Sequence, residues 1–146
     1  MQNKAMEQSA LPAADSPVEI LIVDDHPNTA ATLARTIAQL GTKVHVRSAI
    51  NGHEALEQVK NSTVDILITD MMMPEMTGLE LIEKFQKHLT GRPALYYLMT
   101  AYNVPGLDAI ARSLKITSII IKPVHPEKIS QILTKAIESM KNEIHS

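Results

Sequence analysis

Five polar residues of this chain each stand where a hydrophobic run has just ended. Asp24 and Asp25 follow Ile20-Leu21-Ile22-Val23, Asp70 follows Ile66-Leu67-Ile68-Thr69, Thr100 follows Ala94 to Met99, and Lys122 follows Ser118-Ile119-Ile120-Ile121. Brought together, they have a definite chemistry. Three carboxylates in one small site repel one another and raise one another's pKa, and a divalent cation relieves that repulsion. Oxygen-only ligands favour a hard ion, so Mg²⁺ is the natural choice. Asp25 and Asp70 are best placed as direct ligands, with Asp24 acting through water. A carboxylate beside such an ion can act as a nucleophile toward phosphorus and form an aspartyl phosphate. Catalysis of that transfer rests on positioning and charge neutralisation. Lys122 is a compact cation for one phosphoryl oxygen, and the Thr100 hydroxyl is a donor for another. Each residue alone has an ordinary explanation as a cap, a β-former or a solvated charge; their joint occurrence points to chemistry.

The elements that must position them are legible as an alternation. Short apolar, β-branched runs at Ile20–Val23, Lys43–Val46, Ile66–Asp70, Ala94–Thr100 and Ser118–Ile121 read as buried strands. Between them lie helix-like stretches carrying Leu33, Ile37 and Leu40; Ala55, Leu56 and Val59; Leu81, Ile82 and Phe85; and Leu107, Ile110, Ala111 and Leu114. A last helix begins near Pro126, with Ile129, Ile132, Leu133, Ala136 and Ile137 at helical spacing. Asn28 or Thr29 is expected to cap the first helix, Gly41 to stop it, and Asn51-Gly52 to form a turn. A strict βα alternation with right-handed crossovers gives an α/β fold, one doubly wound five-stranded parallel sheet with helices on both faces. In such a sheet ligands bind beyond the carboxyl ends of the strands. Four of the five strands end in the residues singled out above.

The bulk properties fit one domain of 146 residues with an ordinary balance of 45% hydrophobic and 21% charged residues. Residues 1–17 are polar and small and read as a flexible N-terminal tail, 18–142 as the folded domain and 143–146 as a C-terminal tail. The chain has no cysteine, which excludes disulfides and thiolate metal sites. A formal charge of -2 and a pI near 6.3 argue against direct nucleic-acid binding. No apolar run approaches the roughly 20 residues that cross a bilayer, and the start lacks the apolar core of a secretory signal. The expected location is the cytoplasm, with no membrane association.

The segments VDDHP, AINGHEALE, DILITDMMMPEMTGLEL, YLMTAY and IIIKP, in this order, resemble the receiver domain of response regulators, the CheY-like family of two-component signal transduction. The likeness runs from about Glu19 to Lys141. It implies a (βα)5 flavodoxin-like sheet of strand order 2-1-3-4-5. It makes Asp24 and Asp25 the acidic pair, Asp70 the phosphoacceptor, Thr100 the switch hydroxyl and Lys122 the phosphate-binding lysine. It adds the main-chain carbonyl of Met72 as a metal ligand, and main-chain N–H groups of Met72 and Ala101 facing the phosphoryl oxygens. It further implies a cis Lys122–Pro123 bond, Mg²⁺ as cofactor, and a histidine kinase or phosphotransfer protein as donor. A partner or attached domain takes the output, and a homodimer can form through the face of helix four, strand five and helix five. Such a domain catalyses only its own phosphorylation and dephosphorylation and is otherwise not an enzyme.

The sequence departs from the family pattern at Ile119, where an aromatic residue is usual, at Lys115-Ile116, where Gly-Ala is usual, and at Tyr96 and Tyr97 in the fourth strand. Ile119 puts the usual aromatic switch in question and moves attention to the loop from Ala101 to Gly106, which carries Tyr102. Met71-Met72-Met73 is read as packing and loop positions rather than a soft-metal site. His26 is read as a cap or surface residue and His53 as a residue on an exposed helix face. Two other classes are weighed. A Mg²⁺-dependent phosphohydrolase with an aspartyl nucleophile would place D-x-D after the first strand, not adjacent aspartates. A flavin carrier of similar topology would need a Ser/Thr/Gly-rich phosphate loop where DDHPN stands.

Overall fold

The computed structural model describes residues 16–88 and 95–145. The tail expected over 1–17 lies, up to residue 15, outside the described residues, as do Pro93 and Ala94 ahead of the fourth strand. The elements are β1 (Val18–Val23), α1 (Pro27–Ala38), β2 (Val44–Ala49), α2 (Gly52–Lys60), β3 (Ile66–Asp70), α3 (Gly78–His88), β4 (Leu95–Thr100), α4 (Leu107–Ser113), β5 (Ser118–Ile121) and α5 (Pro126–His145). A single 3₁₀ turn, Gly41–Lys43, precedes β2.

The strands form one sheet of order β2-β1-β3-β4-β5, every neighbouring pair parallel. The period-two alternation of a strand splits its residues between two cores. Ile20, Ile22, Ile66, Ile68, Tyr97, Met99 and Ile120 pack on one face against Leu33 and Ile37 of α1 and Ile129, Leu133 and Ile137 of α5. Leu21, Val23, Leu67, Tyr96 and Leu98 pack on the other against Ala55 and Val59 of α2, Leu81, Ile82 and Phe85 of α3, and Leu107 of α4. β3 is buried along its whole length, because it is the central strand and covered on both faces. Each such side chain contributes about 1.5–3 kcal/mol by leaving water.

The helix ends follow local chemistry. α1 is entered at Pro27, in its first turn, with His26 at the N-cap and no side-chain cap bond. The expected caps, Asn28 and Thr29, therefore lie inside the first turn, because the fixed φ of proline already suits the first helical position. Asn51 is not only a turn residue but the N-cap of α2, its Oδ1 accepting from the Glu54 N–H at 2.8 Å. α3 starts with a reciprocal capping box: Thr77 Oγ1 accepts from the Glu80 N–H at 3.1 Å, and Glu80 Oε1 accepts from the Thr77 N–H at 2.9 Å. Gly41 adopts φ 91° where α1 gives way to the 3₁₀ turn. α5 runs on through the expected C-terminal tail as far as His145, and its buried Met140 extends the apolar stripe beyond Ile137.

Candidate functional site

The site is held by the sheet's hydrogen-bond ladder, which continues one residue past three of its strands. The Asp24 N–H donates to the Ala49 carbonyl at 3.1 Å, the Met71 N–H to the Met99 carbonyl at 2.8 Å, and the Lys122 N–H to the Thr100 carbonyl at 2.8 Å. Asp24, Asp70, Thr100 and Lys122 are thus set side by side at the carboxyl edge, on a frame as rigid as the sheet.

Lys122 Nζ lies 3.1 Å from Asp70 Oδ2 and 3.6 Å from Asp24 Oδ2. Asp24 is fully buried, Asp70 nearly so, and Asp25 half-buried. Burial pushes the Asp70 carboxyl above its ordinary range; the hydrogen bond and charge of Lys122 pull it back, while Asp24 and Asp25 add to the rise. The Lys122–Pro123 peptide is cis, as expected.

Carboxylate oxygens of Asp24, Asp25 and Asp70 and a ring nitrogen of His26 all lie within 4.8 Å of one another. Whether this group suits a divalent ion can be tested on its unmet polar atoms. Among the described residues, the buried side-chain atoms without a hydrogen-bond partner are Asp24 Oδ2, Asp25 Oδ1 and Arg47 Nε. Two of the three are carboxylate oxygens of this cluster. Burying a bare carboxylate oxygen is costly, and a cation is the group that satisfies several at once. The residues therefore fit a hard divalent ion.

Thr100 is buried, and its hydroxyl is engaged with the β4–α4 loop: Oγ1 donates to the Tyr102 carbonyl at 2.9 Å and accepts from the Tyr102 N–H at 3.2 Å. Tyr102 is 72% exposed beside it, and the Met72 side chain is 64% exposed. Met73 is buried and Met71 partly so against the second core, while Met72 stands exposed, which agrees with packing and loop positions for the methionine run. Ile119 is half-buried against that same core, and Tyr96 and Tyr97 are buried on opposite faces of β4, with burial raising both phenols. His53 is exposed, 3.7 Å from Glu75.

Two residues have more to do with the site than the sequence suggests. Gly78 packs against the end of β3: a Cβ there would overlap the Asp70 carbonyl oxygen, and its N–H donates to the Met71 carbonyl at 2.8 Å. The available signal was a glycine directly after a threonine cap, where helix propensity disfavours it. His26 does sit at the cap position, but its ring turns to the acidic pair.

Comparison with known proteins follows the same outline. The family described as the response regulator receiver domain matches residues 20–134. The chain is 33% identical over 127 residues to the regulatory protein AtoC of Escherichia coli, covering 86% of this chain but 27% of AtoC. It is 30% identical to the two-component response regulator ORR11 of Oryza sativa, covering 84% of this chain and 82% of that protein. The chain spans at most about half the length of the first bacterial relatives, with 49% the largest share among them. A solved receiver domain protein of Methanospirillum hungatei, described as CheY-like, superposes with a TM-score of 0.78 at 24% identity, covering 88% of this chain and 99% of that one. Among the described residues no helix is long and apolar enough to cross a membrane. With the profile matched over most of its length and the five parallel strands in the same order, this chain belongs to the response regulator receiver domain family, a signalling domain of two-component systems.

Proposed function

We propose that the chain accepts a phosphoryl group on Asp70 from a histidine kinase or phosphotransfer protein, in a Mg²⁺-dependent reaction in the cytoplasm, and passes the signal to a partner or attached domain. The observation that carries this reading is the seating of Lys122 Nζ 3.1 Å from Asp70 Oδ2, within a cluster whose other carboxylates have buried oxygens without donors. Asp25, Asp70 and the Met72 main-chain carbonyl, together with Asp24, would hold a divalent ion, which would supply charge neutralisation for the transferring group. The remaining roles fall to the chain. An Asp70 carboxylate oxygen forms the bond to phosphorus as the bond from phosphorus to the donor's imidazole nitrogen breaks. The donor keeps that electron pair and takes up a proton. Lys122 pairs with one phosphoryl oxygen, the Thr100 hydroxyl and the main-chain N–H groups of Met72 and Ala101 with others.

The test uses acetyl phosphate and Mg²⁺ with intact-mass detection. Wild type should gain one phosphoryl mass and Asp70→Asn none; full labelling of Asp70→Asn overturns the assignment.

A further inference from the structure

Gly52 is the first residue of α2, is buried, and does not have a positive φ. Its backbone therefore suits any residue, and what the position supplies is the missing side chain. A Cβ there would overlap Met76 Sδ and stand 3.1 Å from Met76 Cγ and 3.2 Å from Met76 Cβ. The walls of this notch are firm. Asn51 Oδ1 accepts from the Glu54 N–H at 2.8 Å, and Glu54 Oε1 accepts from the Ile50 N–H at 2.8 Å, so the start of α2 is fixed on both sides of Gly52.

Met76 enters the notch from the loop between β3 and α3, the stretch by which the chain leaves Asp70. That loop is closed at its base by the Gly78 N–H on the Met71 carbonyl. Two of its side chains, Met73 and Met76, are buried in the second core. Between them the path is strained. Glu75 stands at φ 71°, where a residue with a Cβ meets a steric penalty, and the Met76 N–H turns back on the Pro74 carbonyl at 2.7 Å. Such strain persists only where the surroundings over-determine it. The contact of Glu75 with His53, at 3.7 Å, joins two exposed side chains and is too solvated to hold it. The buried thioether of Met76, next along the chain, is the group that can. Met72 lies on the same closed loop, between Met71 at its base and the first buried anchor, Met73.

We propose that Gly52 is a positioning residue for phosphoryl transfer: its notch seats Met76, and the seated Met76 holds the β3–α3 loop in the strained path that presents the Met72 main chain to the site. The inference rests on the reading that this main chain serves a divalent ion and a phosphoryl group at Asp70. It adds the start of α2, an element that carries none of the site's own groups, to the parts that set its geometry.

The test uses the full chain as wild type, Gly52→Ala, Met76→Ala, the double variant, and Val59→Ala as a control for lost packing in the same helix and the same core. Mg²⁺ affinity is measured by calorimetry, Asp70 labelling by acetyl phosphate at limiting Mg²⁺, stability by urea unfolding, and the Met72 amide resonance in metal-free protein by ¹⁵N spectra. Gly52→Ala and Met76→Ala should each weaken Mg²⁺ binding and slow labelling by about tenfold, and each should shift the Met72 amide before any ion is added. The double variant should be no worse than Met76→Ala, because the two changes break one contact. Val59→Ala should lower the urea midpoint while keeping Mg²⁺ affinity and the Met72 amide of wild type. Should Gly52→Ala not fold, Met76→Ala against Val59→Ala carries the comparison. If wild type binds Mg²⁺ and is labelled, and the Gly52 and Met76 variants match it or lose no more than Val59→Ala, the positioning role is refuted and the site stands. Additive losses in the double variant refute it as well. If wild type neither binds Mg²⁺ nor takes the label, the reading of the site falls and this inference with it.

Discussion

Replacing Gly78 with alanine sets two effects against each other, and the structure says which wins. Gly78 is the first residue of α3 and its φ is not positive, so alanine is conformationally acceptable. On helix propensity alone the change should stabilise by about 0.5–1 kcal/mol. The added methyl, however, would overlap the main-chain carbonyl oxygen of Asp70 and press on Leu98 Cδ1 at 3.1 Å. Leu98 can give a little, because it is a side-chain tip. The Asp70 carbonyl cannot: it ends the central, fully buried strand, and Gly78 itself is tied to Met71 by a 2.8 Å hydrogen bond. Overpacking against an unyielding neighbour costs about 3 kcal/mol at the upper end of the usual range. The expected net loss is about 2 kcal/mol, or a fall in Tm of roughly 6–10 °C for a chain of this size. Thermal melting followed by far-ultraviolet circular dichroism measures it directly. Labelling of Asp70 by acetyl phosphate should slow as well, since the residue carrying the carboxylate is the one pushed. A Gly78→Ala variant as stable as wild type would refute the close approach and leave Gly78 as a mere helix start.

In metal-free buffer, Asp70→Asn should stabilise the fold at pH 7. The Asp70 pKa is raised by burial, so this group's contribution is most favourable below the unfolded value of about 4 and is lost as pH rises through the raised folded value; urea midpoints of the variant and wild type should converge at acid pH. Mg²⁺ at a hundredfold excess over its Kd should stabilise wild type by about 2.7 kcal/mol by linkage, and a melting shift surviving in Asp25→Ala would place the ion elsewhere. Lys115, at φ 59°, closes α4 in the left-handed region, so Lys115→Gly should gain about 0.5–1 kcal/mol in urea unfolding; a loss would show that the lysine side chain matters more than the strain. With a phosphoryl mimic, amide shifts around Tyr102 should exceed those around Ile119, and equal changes at both would count against a loop-led response.

What the sequence made legible was whatever depends on local chemistry. The strands covered on both faces announce themselves as unbroken apolar runs, and Asp24, Asp25, Asp70, Thr100 and Lys122 stand at their ends because a parallel sheet presents that edge to ligands. The second strand was misplaced at both ends: expected over Lys43–Val46, it spans Val44–Ala49. It is an edge strand, and its second half carries Arg47 and Ser48, with the Arg47 guanidinium bonded to Ser62 and to the Thr63 carbonyl. Such a stretch has no apolar signal to read. Gly78 and His26 were undervalued for a different cause. Their importance lies in what approaches them in space, a carbonyl from β3 in one case and two carboxylates in the other, and neither is a property of neighbours along the chain. Lys115 is the same kind of case: nothing in its type foretells a left-handed backbone, which the Ile116 N–H to Ala111 carbonyl bond of 2.9 Å requires there.

The hydrogen bonds of Thr100 bear directly on how a signal would leave the site. Its hydroxyl both donates to and accepts from the main chain of Tyr102, so it is not a free donor waiting for a phosphoryl group. Turning toward Asp70 would take its proton from the Tyr102 carbonyl and its lone pair from the Tyr102 N–H, at about 0.5–1.5 kcal/mol for each bond. The two main-chain groups released belong to an exposed loop, where water can satisfy them and where Tyr102 and Val104 are largely uncovered. Loop movement is therefore a small and favourable step once the hydroxyl leaves. Ile119 stands in the opposite condition. It is half-buried against the second core, with Leu98 as its neighbour on β4, its β-branch confines χ1, and it has no polar group to exchange one partner for another. If Asp70 takes a phosphoryl group, as proposed, the segment from Ala101 to Gly106 is the part expected to respond first, through a Thr100 bond that must break, with β5 following only through what that segment drags with it.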